Sequence, residues 1–271
     1  NDFKTHEEAE AIGFRPLNDR AIAFQRILEI EPNLQDGSTR IVWEWDVLDH
    51  IVQDVYPDRP NYGKPSEHPG KIDVNYVGKS TTFIPGSVFH FNAISYNEER
   101  DQILVSNFGT NEIFIIDHST SVTEARSDQG GASGKGGDLI YRWGNPHAYG
   151  MAGIESRQLF KQHDAAWIPQ GIPGKGDISV FNNGVNREPA HTAYIEIKLP
   201  QFSDSNYQRA VNAPFGPPSP AYEFSAFAGD EPEVFFAPFM SGARRLPNGN
   251  IFGNSGIVSG IFEVTDEGEE V

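Results

Sequence analysis

The sequence predicts an all-β fold, a β-propeller, and three observations carry that prediction. One strand pattern occurs three times at a period of roughly 75 residues, which is the look of a propeller blade. It runs through His90-Phe91-Asn92, Ile103 to Asn107 and Ile113 to Ile116. It returns as His163-Asp164-Ala165, Ile178 to Asn182 and Tyr194 to Ile197, and again as Phe239-Met240-Ser241, Ile251 to Asn254 and Ile261 to Val264. The chain also carries 27 Gly and 19 Pro, the punctuation of a turn-dense β protein rather than a helical one. Its 12% aromatic content suits strands packed face to face, where large rings fill the space between sheets.

Taken in order, residues 22–47 read as the outer half of a blade. Ile27 to Ile30 alternates, Asp36-Gly37 turns, and Ile41 to Trp45 forms an edge strand. Val47, Ile51 and Val55 lie four apart and predict a short amphipathic helix from Asp46 to Tyr56. Residues 57–87 and 124–137 are rich in Pro, Gly, Asn and Ser and read as loops. The closing strand recurs as Leu139 to Trp143 and as Ala221 to Phe224. Blades are therefore expected over 22–47, 88–144, 162–225 and 235–271, within one domain of residues 1–271 or a fragment of a longer chain. About four blades are visible and the last stops where its closing strand should begin. The ring as given reads as incomplete, to be closed by a further segment or by strands within 1–25.

Composition narrows the partners. A net charge of −17 argues against nucleic acid, because phosphate binding needs clustered Lys and Arg. No apolar run reaches 18 residues, so no membrane-spanning helix is expected. With no cysteine there is no disulfide, thiolate metal site or cysteine nucleophile. Gly134-Lys135-Gly136 lacks the Ser or Thr of a P-loop, no His-Glu-x-x-His occurs, and no cofactor is expected. The chain starts with Asn and shows no signal peptide, as a processed form or a fragment does.

In a propeller the first strand of each blade lines a central channel, so His90 and His163, at matching places in two repeats, are expected to face one cavity. Phe239 breaks that series. Asn92 accompanies His90, and Arg187 follows the Asn182-Asn183-Gly184 turn as an anion contact. Arg244 and Arg245 point to opposite sides of an extended strand, so at most one enters the channel, and Arg245 is assigned there. Trp43, Trp45 and Trp143 read as packing, with Trp167 as packing or as the border of a phenol site. His118 reads as a turn residue and His50 as a helix-surface residue.

Several strings resemble the bacterial arylsulfotransferases. They include Trp43 to His50, Asn97 to Ser106, Glu112 to Thr120, Tyr141 to Pro146, Gln162 to Ala165, Phe181 to Gly184 and Ser241 to Asn250. The matches keep their order from about residue 25 to the C-terminus. What the resemblance implies is a six-bladed propeller, exported to the periplasm or the extracellular space. It also implies transfer of a sulfuryl group from an aryl sulfate to a phenol, without a nucleotide, through a channel histidine. His90 and His163 are the residues expected to carry that chemistry. Asn92, Asn183, Arg187 and Arg245 are expected to bind substrate. Phe239, standing where a third histidine would complete the set, becomes a stacking wall for an aromatic acceptor.

The chemistry is coherent at the level of residue types. Sulfuryl transfer spreads charge over three terminal oxygens, as phosphoryl transfer does, and needs donors aimed at them. It also needs a neutral nitrogen nucleophile and an acid for the phenolate, and histidine supplies both. Two rivals stay open: a non-catalytic propeller that binds an anionic aromatic or joins an assembly, and a hydrolase with a channel metal on His90, His163, Asp164 and Glu196. The fold expectation is checked by circular dichroism, where a spectrum dominated by strand is expected and one dominated by helix refutes it.

Overall fold

Strands with apolar side chains on both faces must be covered on both faces, and that requirement sets the architecture. The computed structural model describes residues 2–15, 22–76, 89–225, 236–257 and 260–271. The chain begins with β1 (Asp2–Lys4), helix α1 (His6–Ala11) and β2 (Ile22–Phe24), with β1 and β2 paired antiparallel. A hairpin of β3 (Arg26–Pro32) and β4 (Thr39–Asp46) follows, its turn containing Gly37 in the left-handed region at φ +74°. Short β5 (Ile51–Val52) and β6 (Ile72–Asp73) pair in parallel. Among the described residues α1 is the single α-helix.

Three antiparallel sheets make up the rest. The first runs β7 (Phe91–Asn97), β8 (Gln102–Asn107), β9 (Glu112–Asp117) and β10 (Tyr141–Trp143) in simple up-and-down order. The second is built from β11 (His163–Trp167), β12 (Ile178–Asn182), β13 (Ala193–Ile197) and, after the small hairpin β14 (Phe202–Ser203) and β15 (Asn206–Tyr207), β16 (Tyr222–Ser225). The third comprises β17 (Gly242–Arg245), β18 (Ile251–Ser255) and β19 (Gly260–Val264).

Alternation decides which neighbour each side chain meets. On β8, Ile103 and Val105 pack with Trp43 and Trp45 of the first hairpin, whereas Leu104 packs toward Ile178 and Val180 of the second sheet. On β9, Phe114 and Ile116 face the hairpin and Ile113 and Ile115 face the second sheet. The second sheet does the same one step on. Ile195 and Ile197 point back to the first sheet, while Phe181 and Tyr194 join Ala243, Ile251 and Val264 of the third. Every residue of β8, β9, β12 and β13 is buried. The outcome is an order of hairpin, first, second and third sheet, with the inner strand β11 lying against both β7 and β17.

All-β architecture agrees with the sequence, and the recurring strands fall where the repeat put them. The described residues show sheets stacked in series, not a closed ring. Two local expectations are corrected. Residues 46–56 form no helix: Asp46 caps a single 3-10 turn, Val47–His50, by accepting the Leu48 N–H at 2.9 Å, and the chain then enters β5. The pattern misled because Val47 and Ile51 are buried through tertiary contacts rather than on one helical face. His50 is not on a surface. It is fully buried, stacks on Trp45 at 5.1 Å, and places its ring nitrogens 2.8 Å from Asp138 Oδ1 and the Ala125 carbonyl. Residues 77–87 of the expected loop, and the openings of the groups expected from 88 and 235, lie outside the described residues.

Arg142 on β10 and Glu112 on β9 form a two-pronged ion pair with no solvent exposure, at 2.7 and 2.8 Å. The guanidinium stacks on Tyr149 at 4.1 Å and donates to the Lys71 carbonyl at 2.8 Å, tying the loop before β7 to the sheet. Burial pushes the Glu112 carboxyl up from its ordinary value, with Arg142 opposing it. Arg142→Ala leaves a buried carboxylate without its partner and is expected to destabilise the protein by about 3–5 kcal/mol. In urea unfolding, a double Arg142→Met, Glu112→Leu variant should lose much less than the single one.

Candidate functional site

The two histidines approach one another because the turns before β7 and β11 are built alike. Gly109 N–H donates to the Phe89 carbonyl at 2.6 Å, and Gly184 N–H to the Phe160 carbonyl at 2.9 Å. The next residues, His90 and Lys161, both adopt φ +58°, a left-handed conformation that non-glycine residues rarely hold. In register, Phe91 faces Asn107 and His163 faces Phe181. The structural counterpart of His90 in the second sheet is therefore Lys161, with His163 two residues further on. In the third sheet Gly242 faces Asn254, so the counterpart is Ser241, at φ +75°. Phe239 stands two residues ahead of that place. It is 47% exposed, and the Ser241 hydroxyl donates to its carbonyl.

A bulge follows each turn, between Phe91 and Ala93 on β7 and between His163 and Ala166 on β11. Bulges re-aim side chains, and here they gather the site at one end of the two inner strands. Phe108 is the hub. Its ring centre lies 5.2 Å from that of His90 and 5.7 Å from that of His163, both edge to face. The two imidazoles are thus no more than about 11 Å apart. Lys161 places its ammonium 4.5 Å from the centre of the same ring and donates to the Phe108 carbonyl at 3.2 Å. Asn92 bonds from its amide to the Gln162 carbonyl at 2.8 Å, while its own side-chain oxygen is buried and without a partner.

Asn183 fixes the state of His163. Its amide NH2 donates to the carbonyls of Ala237 (2.7 Å) and Met240 (3.0 Å), so its oxygen must be the atom 2.8 Å from His163 Nδ1. In the neutral ring the proton sits on Nδ1 and the lone pair on Nε2. Burial lowers the His163 pKa, against the bonds to Asn183 and the Lys161 backbone. Burial lowers that of His90 as well, reinforced by nearby His163 and Lys161. Lys161 is pushed down to about 8, by burial first and by Arg157 second. The cluster offers neutral imidazoles beside an ammonium that titrates within reach of physiological pH.

The expected arginines lie differently. Arg245 is 6% exposed, bonds to Glu196 at 2.5 Å and pairs with Asp266, which makes it a buried brace of the second and third sheets. Its neighbour Arg244 instead grips Asp164, the residue after His163, with both prongs and also donates to the Asp164 backbone. The two arginines meet different partners, as strand alternation requires, and Arg244 is the one bonded to the residue next to His163. Arg187 pairs with Glu223 at 2.7 Å and lies over Phe160. With Glu196 and Asp164 engaged by arginines, the four residues considered for a metal do not assemble. Among the described residues no group of three or more His, Cys, Asp or Glu could hold an ion. Trp43, Trp45 and Trp143 are buried, with their indole N–H groups bonded to Thr120, Gly137 and Pro217. Trp167 is buried too and borders an open groove with Tyr96 and Arg100 at the far end of the same strands.

Phe108 and Lys161 carried no expectation in the sequence, and Arg244 was named there only beside Arg245. A signal existed for two of them. Asn107-Phe108-Gly109, Asn182-Asn183-Gly184 and Asn254-Ser255-Gly256 share an Asn-x-Gly step that aligns the repeats more faithfully than the histidines do.

A family model described as Arylsulfotransferase (ASST) matches residues 26–270. The chain belongs to the arylsulfotransferase family. No curated protein matches it significantly. Twelve chains of solved structures match. One is the crystal structure of a protein of unknown function from Bacteroides caccae, with 10% identity and a TM-score of 0.34, matched over 68% of this chain and 44% of that one. The chain thus spans less than half the length of that protein.

The lowered histidines make stability in this arylsulfotransferase-family chain pH-dependent. Between their folded values and the ordinary value of about 6.5, the unfolded chain binds more protons than the folded one. Their favourable state is complete above that range and is lost as pH falls through it. Asp164, raised by burial, works in the opposite direction. Urea unfolding at pH 7.5 and 5 should show a smaller acid loss in a His90→Gln, His163→Gln variant than in the wild type.

Proposed function

We propose that the protein is an arylsulfotransferase-like enzyme that moves a sulfuryl group from an aryl sulfate to a phenol through His163. The stacked sheets are read as blades of a β-propeller, with β7, β11 and β17 lining its channel. The observation that carries the reading is the pairing of His90 and His163 across Phe108, with Asn183 holding His163 so that Nε2 bears the lone pair. Family membership over residues 26–270 supports the reaction class.

Each residue has a task in that reaction. His163 Nε2 attacks sulfur, the S–O bond to the donor phenol breaks, and the sulfuryl group rests on the imidazole. Asn183 accepts the hydrogen bond from Nδ1–H throughout and stabilises the positive ring that forms, as an oriented acceptor does in other histidine-dependent sites. The donor departs as its phenolate, and in the second half neutral His90, across the Phe108 ring, accepts the proton of the incoming phenol as that oxygen attacks sulfur and the S–N bond to His163 breaks. Phe108 offers an aromatic surface to donor and acceptor. Substrate binding by Asn92 and export to the periplasm or beyond follow the family pattern and belong to the same proposal.

The test is incubation with p-nitrophenyl sulfate and phenol, following p-nitrophenol release and the sulfated product. Phenol-dependent transfer that His163→Ala lowers about 1,000-fold or more supports the enzyme. Asn183→Ala should retain the nucleophile but lose roughly tenfold or more, since the ring is no longer held in one tautomer. Release that requires a divalent cation, or no transfer at all, refutes this reading.

A further inference from the structure

We propose that Lys161 is the anion-holding residue of the site, its ammonium meeting the terminal oxygens of a sulfuryl group placed between His90 and His163. The inference rests on the reading above for the location and goes beyond it in naming the group that binds charge.

Position is the first argument. Lys161 occupies the place in the second sheet that His90 occupies in the first, with the same φ of +58° and the same turn bond beside it. Two neighbouring sheets thus send the side chains of equivalent residues to one spot. Contact is the second argument. The Lys161 ammonium, the His90 ring and the His163 ring all surround Phe108, at 4.5, 5.2 and 5.7 Å from its centre. A four-carbon stem lets the ammonium leave the ring face and reach an anion between the imidazoles.

Charge is the third argument. An aryl sulfate is an anion entering a chain of net charge −17. The imidazoles that flank the site are held toward their neutral forms. A buried cation at this point meets the need, and in a site of low dielectric it acts strongly. A bound anion beside Lys161 favours the charged ammonium, so burial, which pushes the free lysine down to about 8, is opposed on binding.

The experiment uses inorganic sulfate as the probe, titrated into the intact protein by calorimetry from pH 6.5 to 9.5. The titratable and charged groups near Lys161 are His90 from the first sheet, His163 two residues further along the chain, and Arg157 from the preceding loop. Both histidines are already neutral above pH 7.5 and arginine stays charged, so an alkaline step belongs to the lysine. Wild-type affinity should fall tenfold or more between pH 7 and 9.5. Lys161→Gln should lose about tenfold at pH 7 and show no alkaline step, while Lys161→Arg should bind sulfate at both pH values. Thermal unfolding of each variant checks that the fold is retained. Equal binding by wild type and Lys161→Gln overturns the proposal, as does an alkaline step that persists in Lys161→Gln. Sulfate binding through Lys161 with no sulfuryl transfer would uphold this inference while sinking the enzymatic reading.

Discussion

Apolar side chains on both faces of the central sheets force those sheets into a stack. β8, β9, β12 and β13 carry apolar residues at consecutive positions, and all of them are buried. A strand of that kind is stable only between two neighbours, so the first sheet must lie between the hairpin and the second sheet, and the second between the first and the third. Stacking in this order lays the inner strands β7, β11 and β17 side by side. The cluster around Phe108 is a consequence of that packing, since its members come from two sheets and from turns far apart in sequence.

Within the cluster, backbone strain and burial work together. Left-handed His90, Lys161 and Asp164 are each costly conformations, held by the turn bonds and by the bulges at the strand starts. The result is a set of side chains whose starting points are fixed by the main chain. Burial then removes charge from the imidazoles and weakens the hold of Lys161 on its proton. Nucleophilic nitrogen and a responsive cation come from the same physical cause, the withdrawal of water.

Buried ion pairs give the stack its register. Arg142 with Glu112 joins two strands of one sheet and Arg245 with Glu196 joins the third sheet to the second, while the partly exposed pair of Arg244 and Asp164 adds a tie beside the site. Such pairs contribute little net stability, because desolvation offsets their attraction. Their effect is geometric: a sheet that slipped by one residue would leave a charge unpaired in the interior.

The all-β class, the place of nearly every long strand, and the two histidines that meet at Phe108 are legible in the residues alone. These depend on local pattern: short apolar runs at a repeated spacing, Gly- and Pro-rich turns, and a residue type repeated at similar positions. Tertiary structure decided what local pattern cannot encode. Val47 and Ile51 mimicked a helix because burial among residues remote in sequence, such as Ile72 and Leu139, has no signature in the spacing. The choice between Arg244 and Arg245 turned on which strand face met Asp164 and which met Glu196. Lys161 became the partner of His90 only when the backbone bonds of two turns were compared, and alignment by histidines had hidden it. A side chain's chemistry is written in the sequence, but its neighbours across a sheet interface are set by packing, and in this site the neighbours determine what the chemistry can do.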